Sequence, residues 1–371
     1  MRKQILVRAA AAASLALVLA SCGGDDTTTG ATGTDEPAGE TAGSVGVILP
    51  DATTSPRWES ADRPFLEAAF EAAGVEVDIQ NAGGDVTQFN TLCDGMINQG
   101  VAVLLMVNLD SDSGSACHKK AQDAGIETID YDRLTLGGGA SFYVSFDNVA
   151  VGRTMGEGLI SCLDEAGTTE ANIVLINGNP TDNNAALFKE GYVEALKEKV
   201  DSGAYTIVGD QTGEWDADVA GTAFEQLFTQ ANGEIDGVVS ANDTMAQGII
   251  ARLSANGLNG QIPVTGQDAS VEGLQAILAG DQCMTVYKAI EDEANAAAKL
   301  AVALIAGEDA SGLATGTVTD SVLNTEVPSV FETPQAIFRD NVKDVIDDGF
   351  QAAADVCTGE FAAACEELGI S

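Results

Sequence analysis

Histidine is all but missing: among 371 residues only His118 is present. A Ser-His-Asp triad, a zinc site built on several imidazoles and a histidine proton relay are therefore disfavoured. Basic side chains are scarce as well, 17 Lys and Arg against 57 Asp and Glu, for a formal net charge of −40. A chain of that charge does not seek nucleic-acid phosphates or anionic lipid headgroups. Aromatics make up 5%, and only two of them are Trp. No two cysteines have CxxC spacing, which argues against zinc and thioredoxin chemistry. What remains is ordinary for folded protein: 45% hydrophobic residues and a length that suits two domains.

The first residues read as an export signal. Arg2, Lys3 and Arg8 precede the apolar or small run Ala9 to Ala20, which is too short for a membrane span. The run leads into Leu19-Ala20-Ser21-Cys22, which resembles the lipobox of bacterial lipoproteins. That resemblance implies that residues 1–21 are removed and that Cys22 becomes the first residue and carries lipid. Their removal leaves 14 basic residues against 57 acidic ones. Residues 22–44 carry no aromatic or large aliphatic side chain. They cannot bury enough surface to fold and are expected to form a flexible tether. The six other cysteines are Cys93, Cys117, Cys162, Cys283, Cys357 and Cys365. An even number in an oxidising compartment suggests disulfides; 15 connectivities are open, and buried free thiols are the alternative.

The body alternates β-branched runs with helical spacing. One series of expected strands is Val45–Leu49, Val75–Gln80, Val101–Val107, Ile126–Asp130 and Phe142–Phe146. A second is Asn172–Ile176, Tyr205–Val208, Gly237–Ser240, Ile262–Thr265 and Met284–Tyr287. Between them, Phe65, Leu66, Ala69 and Phe70 share one helical face, and Asp85 and Gly100 bracket another helix. The fold class this implies is α/β, with two Rossmann-like lobes of parallel strands covered by helices.

Polar residues gather just after the strands, where open parallel sheets bind ligands. In the first series these are Asp51, Trp58, Asn108, Asp110, Asp132 and Arg133. In the second they are Asn179 to Asn184, Trp215, Asn242-Asp243, Gln267-Asp268 and Lys288. A carboxylate accepts from two adjacent hydroxyls, Asn and Gln donate and accept, and Arg and Lys donate to ring and hydroxyl oxygens. An indole face covers the C–H face of a pyranose. Any one of these residues is as well explained by a polar loop; the set, with one Trp from each series, points to a sugar.

Seven segments then occur in order: Arg57-Trp58, Tyr131-Asp132-Arg133, Tyr143 to Asn148, Asp182 to Ala185, Ser240 to Asp243, Gly266 to Ala269 and Met284 to Lys288. Together they resemble the periplasmic D-xylose-binding proteins and their sugar-binding relatives, from about Val45 to Asp348. The resemblance implies a type I periplasmic binding protein: two lobes joined by a three-strand hinge, delivering sugar to a membrane ABC permease. It implies that Trp58 and Trp215 stack on the ring. Asp132 and Arg133 bind hydroxyls from the first lobe, Asn184, Asn242 and Asp268 from the second, with Lys288 at the hinge and Arg57 a further donor. Where relatives often carry a basic residue this chain has Ala186, and the tail after Asp348 lies beyond the shared pattern.

The lobes expected on this basis are 45–146 with 288–322, and 147–287 with 323–371. Crossings are expected near Phe146–Asn148, Tyr287–Lys288 and Leu323–Val330. This places Cys93 and Cys117 on successive helices of the first lobe, and Cys162 and Cys283 together in the second. The expected pairs are 93–117, 162–283 and 357–365. The last needs a turn at Thr358-Gly359, because eight residues of continuous helix span about 12 Å.

Other signals carry less. Gly137-Gly138-Gly139 does not open a helix, so it is no phosphate cradle. Asp110-x-Asp112-x-Gly114 hints at a calcium loop but has Ala121 at the twelfth position. His118 beside Lys119 and Lys120 reads as a surface residue. The expectation is a non-enzymatic binding protein without cofactor or metal: exported, lipid-anchored to the outer face of the cell membrane or periplasmic, and monomeric. Its partners would be a monosaccharide, D-xylose first and glucose or another aldose next, and an ABC permease with its ATPase subunit. The alternatives are a sensory protein that presents sugar to a receptor, and a secreted hydrolase using Asp132 and Asp268 as paired carboxylates.

Overall fold

The structure is a computed structural model that describes residues 43–52 and 54–370. The expected signal peptide, Cys22 and the tether up to residue 42 lie outside the described residues. Ser44, assigned above to the tether, is the first residue of β1.

Five parallel strands build the first lobe: β1 (Ser44–Leu49), β2 (Glu76–Asn81), β3 (Val103–Met106), β4 (Glu127–Tyr131) and β5 (Phe142–Phe146). Between them run α1 (Arg63–Ala73), α2 (Val86–Gln99) and α3 (Ser111–Asp123). The second lobe repeats the pattern with α4 (Asn148–Glu165), β6 (Ala171–Asn177), α5 (Asn183–Asp201), β7 (Tyr205–Thr212), α6 (Ala217–Gln230), β8 (Gly237–Ser240), α7 (Asp243–Ala255), β9 (Thr265–Gln267), α8 (Val271–Ala279) and β10 (Met284–Tyr287). The chain then crosses back through α9 (Ile290–Ile305) to a hairpin, β11 (Gly316–Asp320) and β12 (Thr325–Glu332). It ends in the second lobe with β13 (Gln335–Ile337), α10 (Val342–Asp347), α11 (Ala353–Val356) and α12 (Ala362–Glu367).

The first sheet has the order β11-β12-β5-β4-β3-β1-β2. The second lobe holds β7-β6-β8 and β9-β10-β13, joined by a parallel bridge between Val238 and Val264. Each lobe therefore winds its first five strands in the order 2-1-3-4-5, the doubly wound arrangement. All residues of β3 and β8 are buried, which is why these strands read as continuous apolar runs rather than as alternation.

The sequence boundary at residue 323 is corrected by the pairing of β12. Ser329 lies opposite Tyr143 and Glu332 opposite Phe146 in a parallel ladder, so residues 323–332 belong to the first lobe. The third crossing falls at Thr333-Pro334. The expected ninth strand also shifts, from Ile262–Thr265 to Thr265–Gln267, with Val264 making only the single bridge.

Several of the polar residues after strands are helix caps. Asp110, Asp182, Asp216 and Asn242 each accept a backbone N–H at the start of the next helix. Such a cap is worth about 1 kcal/mol. Asp110, the hint of a calcium loop, is one of them, accepting from the Ser113 N–H at 2.7 Å.

Three cysteine pairs are bonded. Cys93–Cys117 ties α2 to α3, Cys162–Cys283 ties α4 to the start of β10, and Cys357–Cys365 closes the tail, with Cα separations of 6.0, 6.4 and 5.8 Å. The last is possible because α11 stops at Val356 and Gly359 takes φ 55°, breaking the helix between the two cysteines.

His118 is the clear departure from expectation. It is fully buried, with Nε2 2.8 Å from an Asp130 carboxylate oxygen and Nδ1 2.9 Å from the Thr128 hydroxyl. The two neighbouring lysines suggested a surface position. Helical spacing instead puts His118 on the face of α3 that buries Gly114, Cys117 and Ala121. The Gly137–Gly139 loop packs on this histidine, and the Gly137 N–H donates to the Asp320 carboxylate of the hairpin at 2.8 Å.

Candidate functional site

The carboxyl edges of the two sheets face each other across one cleft. All nine side chains expected to bind ligand line a single cavity there. Arg57, Trp58, Asp132 and Arg133 come from the first lobe. Asn184, Trp215, Asn242 and Asp268 come from the second, and Lys288 follows β10 at the crossing.

Arg57 sits where the chain enters α1 through a widened turn, in which the Arg63 N–H reaches back to the Trp58 carbonyl. Such π-type turns are frequent at functional sites. This one turns Asp62 inward to a bidentate pair with Arg57, Nε to Oδ2 at 2.8 Å and Nη2 to Oδ1 at 2.6 Å. Arg57 also donates to Asp132 Oδ2 at 2.8 Å and to Glu293 Oε2 at 3.0 Å. Three carboxylates therefore orient one buried guanidinium, which keeps one N–H for a ligand.

Asp132 is the centre of the cluster. Lys288 Nζ lies 3.3 Å from its Oδ2, and Asn184 Nδ2 donates to its Oδ1 at 3.1 Å. Its carbonyl accepts from Tyr143, Ser145 and Asn184 at 2.8, 2.9 and 2.9 Å. Burial opposes its charge, but Lys288, Arg57 and Arg133 outweigh burial and hold the carboxyl well below the ordinary carboxylate range. A carboxylate so saturated is a fixed hydrogen-bond acceptor and a poor nucleophile, which argues against the hydrolase reading. Glu293 is pushed the other way: burial raises it well above its ordinary value, against the pull of Arg57.

Arg133 crosses the cleft to Asp182 Oδ2 at 2.9 Å, and Asp182 also accepts from Trp215 Nε1 at 3.2 Å. Trp215 lies edge-on to Phe188, ring centroids 6.2 Å apart. Gly178, at the end of β6, leaves room for it: a Cβ there would sit 2.0 Å from the indole. Trp58 has the Arg57 guanidinium 4.4 Å and the Arg133 guanidinium 5.4 Å from its ring centroid. It therefore holds cations as well as offering an aromatic wall.

Asp132, Trp215 and Asp268 have φ of 60°, 64° and 103°. Non-glycine residues held there cost on the order of 1–3 kcal/mol each, and such strain concentrates at ligand sites. Behind Asp268, buried Asp243 accepts from the Ser270 N–H at 2.9 Å and from Gln282 at 2.7 Å. Burial pushes Asp243 up to about 7, with Asp268 adding to the rise.

Among the described residues, three buried polar atoms of the cavity wall lack a hydrogen-bond partner: Trp58 Nε1, Gln267 Oε1 and Asp268 Oδ1. Asp268 Oδ1 is 3.6 Å from Lys288 Nζ, an ion pair beyond hydrogen-bonding range. One donor and two acceptors without partners in the wall of a polar cavity match a ligand with several hydroxyls.

Asp182 and Gln267, placed by sequence at the ligand edge but given no individual role, line the cavity, and Asp62 and Glu293, which the sequence reading does not name, pair with Arg57 behind it. Glu293 had a readable signal: it falls on the stripe of α9 that buries Ile290, Ala294 and Ala297. An acid on a buried face needs a partner. Asp62 gave no such sign, because the widened turn shifts the helical register around it.

Residues 45–309 match the family described as periplasmic binding protein domain. The chain is 37% identical over 317 residues to the D-xylose-binding periplasmic protein of Escherichia coli, covering 84% of this chain and 92% of that one. It is 31% identical to the multiple sugar-binding periplasmic receptor ChvE of Rhizobium radiobacter, over 84% of this chain and 92% of the other. A carbohydrate transporter solute binding protein from Chloroflexus aurantiacus, solved with D-glucose, superposes with a TM-score of 0.77 at 29% identity, over 84% of this chain and 97% of its own. The fold, the cleft and these matches agree: the chain belongs to the periplasmic binding protein family, type I in fold and non-enzymatic in kind.

Proposed function

We propose that this protein is the sugar receptor of an ABC importer, binding one monosaccharide, D-xylose by preference and glucose or another aldose next, between its lobes. The observation that carries the reading is the cavity itself: two indoles, ionised Asp132, Asp268, Asn242 and Lys288 around unpartnered donors and acceptors. Neither lobe alone surrounds a ligand, so binding favours the arrangement in which both contact it. The named ligands of the relatives, xylose and glucose, support this size of sugar. A receptor feeding a permease works at around micromolar Kd, about −8 kcal/mol.

Calorimetry over a panel of aldoses tests the reading. D-xylose is expected to bind most tightly, and Asp268→Ala to weaken it by roughly 2–4 kcal/mol, because hydroxyls in a dry cleft lose a charged acceptor. Heat from no monosaccharide, or an unaltered affinity in the variant, refutes the assignment.

The proposal extends to location. The Cys22 motif and the net negative charge of the chain support anchoring by lipid rather than by attraction to anionic headgroups. No helix among the described residues is long and apolar enough to cross a membrane. Cys22→Ser is expected to move the protein from the membrane fraction to the soluble one without changing its unfolding curve. A variant that stays membrane-bound after a salt wash overturns the anchor.

A further inference from the structure

A second cavity, partly open to solvent, adjoins the first. Ser55, Arg57 and Asp268 line both cavities. At their shared wall the Ser55 hydroxyl donates to Asp268 Oδ2 at 3.2 Å. The far wall is the C-terminal tail, Gly349 to Ala352 and Asp355, which lies beyond residue 309, where the family match ends.

The tail is held in place there by several independent contacts. Gln351 Nε2 donates to the carbonyl of Ala269, next to Asp268, at 3.2 Å. Gln275 of α8 donates to the carbonyls of Asp355 and Val356 at 3.0 and 3.2 Å. The Phe350 ring lies 5.1 Å from that of Tyr287, whose hydroxyl bonds to Asp348. The Cys357–Cys365 bond closes the segment behind it.

The lining selects for hydroxyls. Asp268, Glu272 and Asp355 offer acceptors, and Phe350 offers an aromatic surface. The one cation on the wall, Arg57, already serves three carboxylates. An anion is repelled, whereas a neutral sugar ring supplies O–H donors and a C–H face. A glycosidic link between the cavities would pass the shared wall of Ser55, Arg57 and Asp268, where the Ser55–Asp268 hydrogen bond can be exchanged for bonds to the ligand.

We propose that this second cavity is a subsite for a second sugar ring, so that the protein takes a disaccharide as well as a monosaccharide. The proposal rests on the first cavity being a monosaccharide site. Calorimetry with D-xylose and with its β-1,4-linked disaccharide tests it on the whole protein and two variants. Ala352→Trp fills the cavity from an exposed position of the tail, and Glu272→Gln removes an exposed acceptor. Neither residue lines the first cavity.

The unaltered protein is expected to bind the disaccharide at least as tightly as xylose. Ala352→Trp is expected to weaken the disaccharide tenfold or more, and Glu272→Gln three- to tenfold, with xylose unchanged within twofold in both. Xylose binding with the disaccharide a hundredfold weaker overturns the subsite and leaves the monosaccharide reading intact. An Ala352→Trp protein that binds both sugars as before, or loses both equally, also overturns the subsite. Failure to bind any monosaccharide refutes the receptor reading, and this one with it.

Discussion

Asp132→Ala is expected to cost about 3–5 kcal/mol of stability and to weaken sugar binding at least a hundredfold. The stability loss follows from removing the anion that buried Arg57 and Lys288 share: Arg57 keeps Asp62 and Glu293, whereas Lys288 is left with the longer pair to Asp268 at 3.6 Å. The binding loss follows from removing the acceptor that also fixes Asn184 of the opposite lobe. The stability effect has a defined pH window. The folded protein holds Asp132 below its ordinary value, so its contribution is fully present above about pH 4 and is lost as pH falls below that. Urea unfolding of both proteins at pH 7 and pH 3 should show the gap at the first and a narrowing at the second. A difference under about 1 kcal/mol at pH 7 would mean that the cations are neutralised elsewhere.

Gly178→Ala is expected to weaken the sugar tenfold or more at a stability cost of about 1–3 kcal/mol. The added methyl would lie 2.0, 2.1 and 2.4 Å from three atoms of the Trp215 indole, so the ring must leave. Leaving breaks its hydrogen bond to Asp182, the residue that also receives Arg133 from across the cleft. Trp215 is now 7% exposed, and its fluorescence should shift to the red as it meets water. Unshifted emission with unchanged affinity would show that β6 moves aside instead.

The ten strands of the two lobes and the nine cavity residues were legible because parallel strands leave continuous apolar runs and place polar residues at one edge. The β11–β12 hairpin was not. In its segment Gly316 to Glu332 the four Val are separated by polar residues, and its outer strand alternates between half-buried and exposed positions, so it carries no continuous apolar run. That error moved the lobe boundary to residue 323. The missed acids had a different cause. Asp62 and Glu293 are common surface residues by type, and only the convergence of two distant segments on Arg57 reveals them. His118 is the opposite case: the lysines beside it in sequence are exposed, while its neighbours on the helix face, Gly114, Cys117 and Ala121, are buried with it.

All three disulfides close within a lobe or within the tail, and none straddles the crossings at Phe146–Asn148, Tyr287–Lys288 and Thr333-Pro334. Oxidation therefore stiffens each jaw while leaving the joint between them to ordinary peptide chain. Thermal resistance and the ease of opening are set by separate parts of the molecule. A reducing environment should lower the melting temperature yet leave the capture and release of cargo at its former pace until a jaw itself melts.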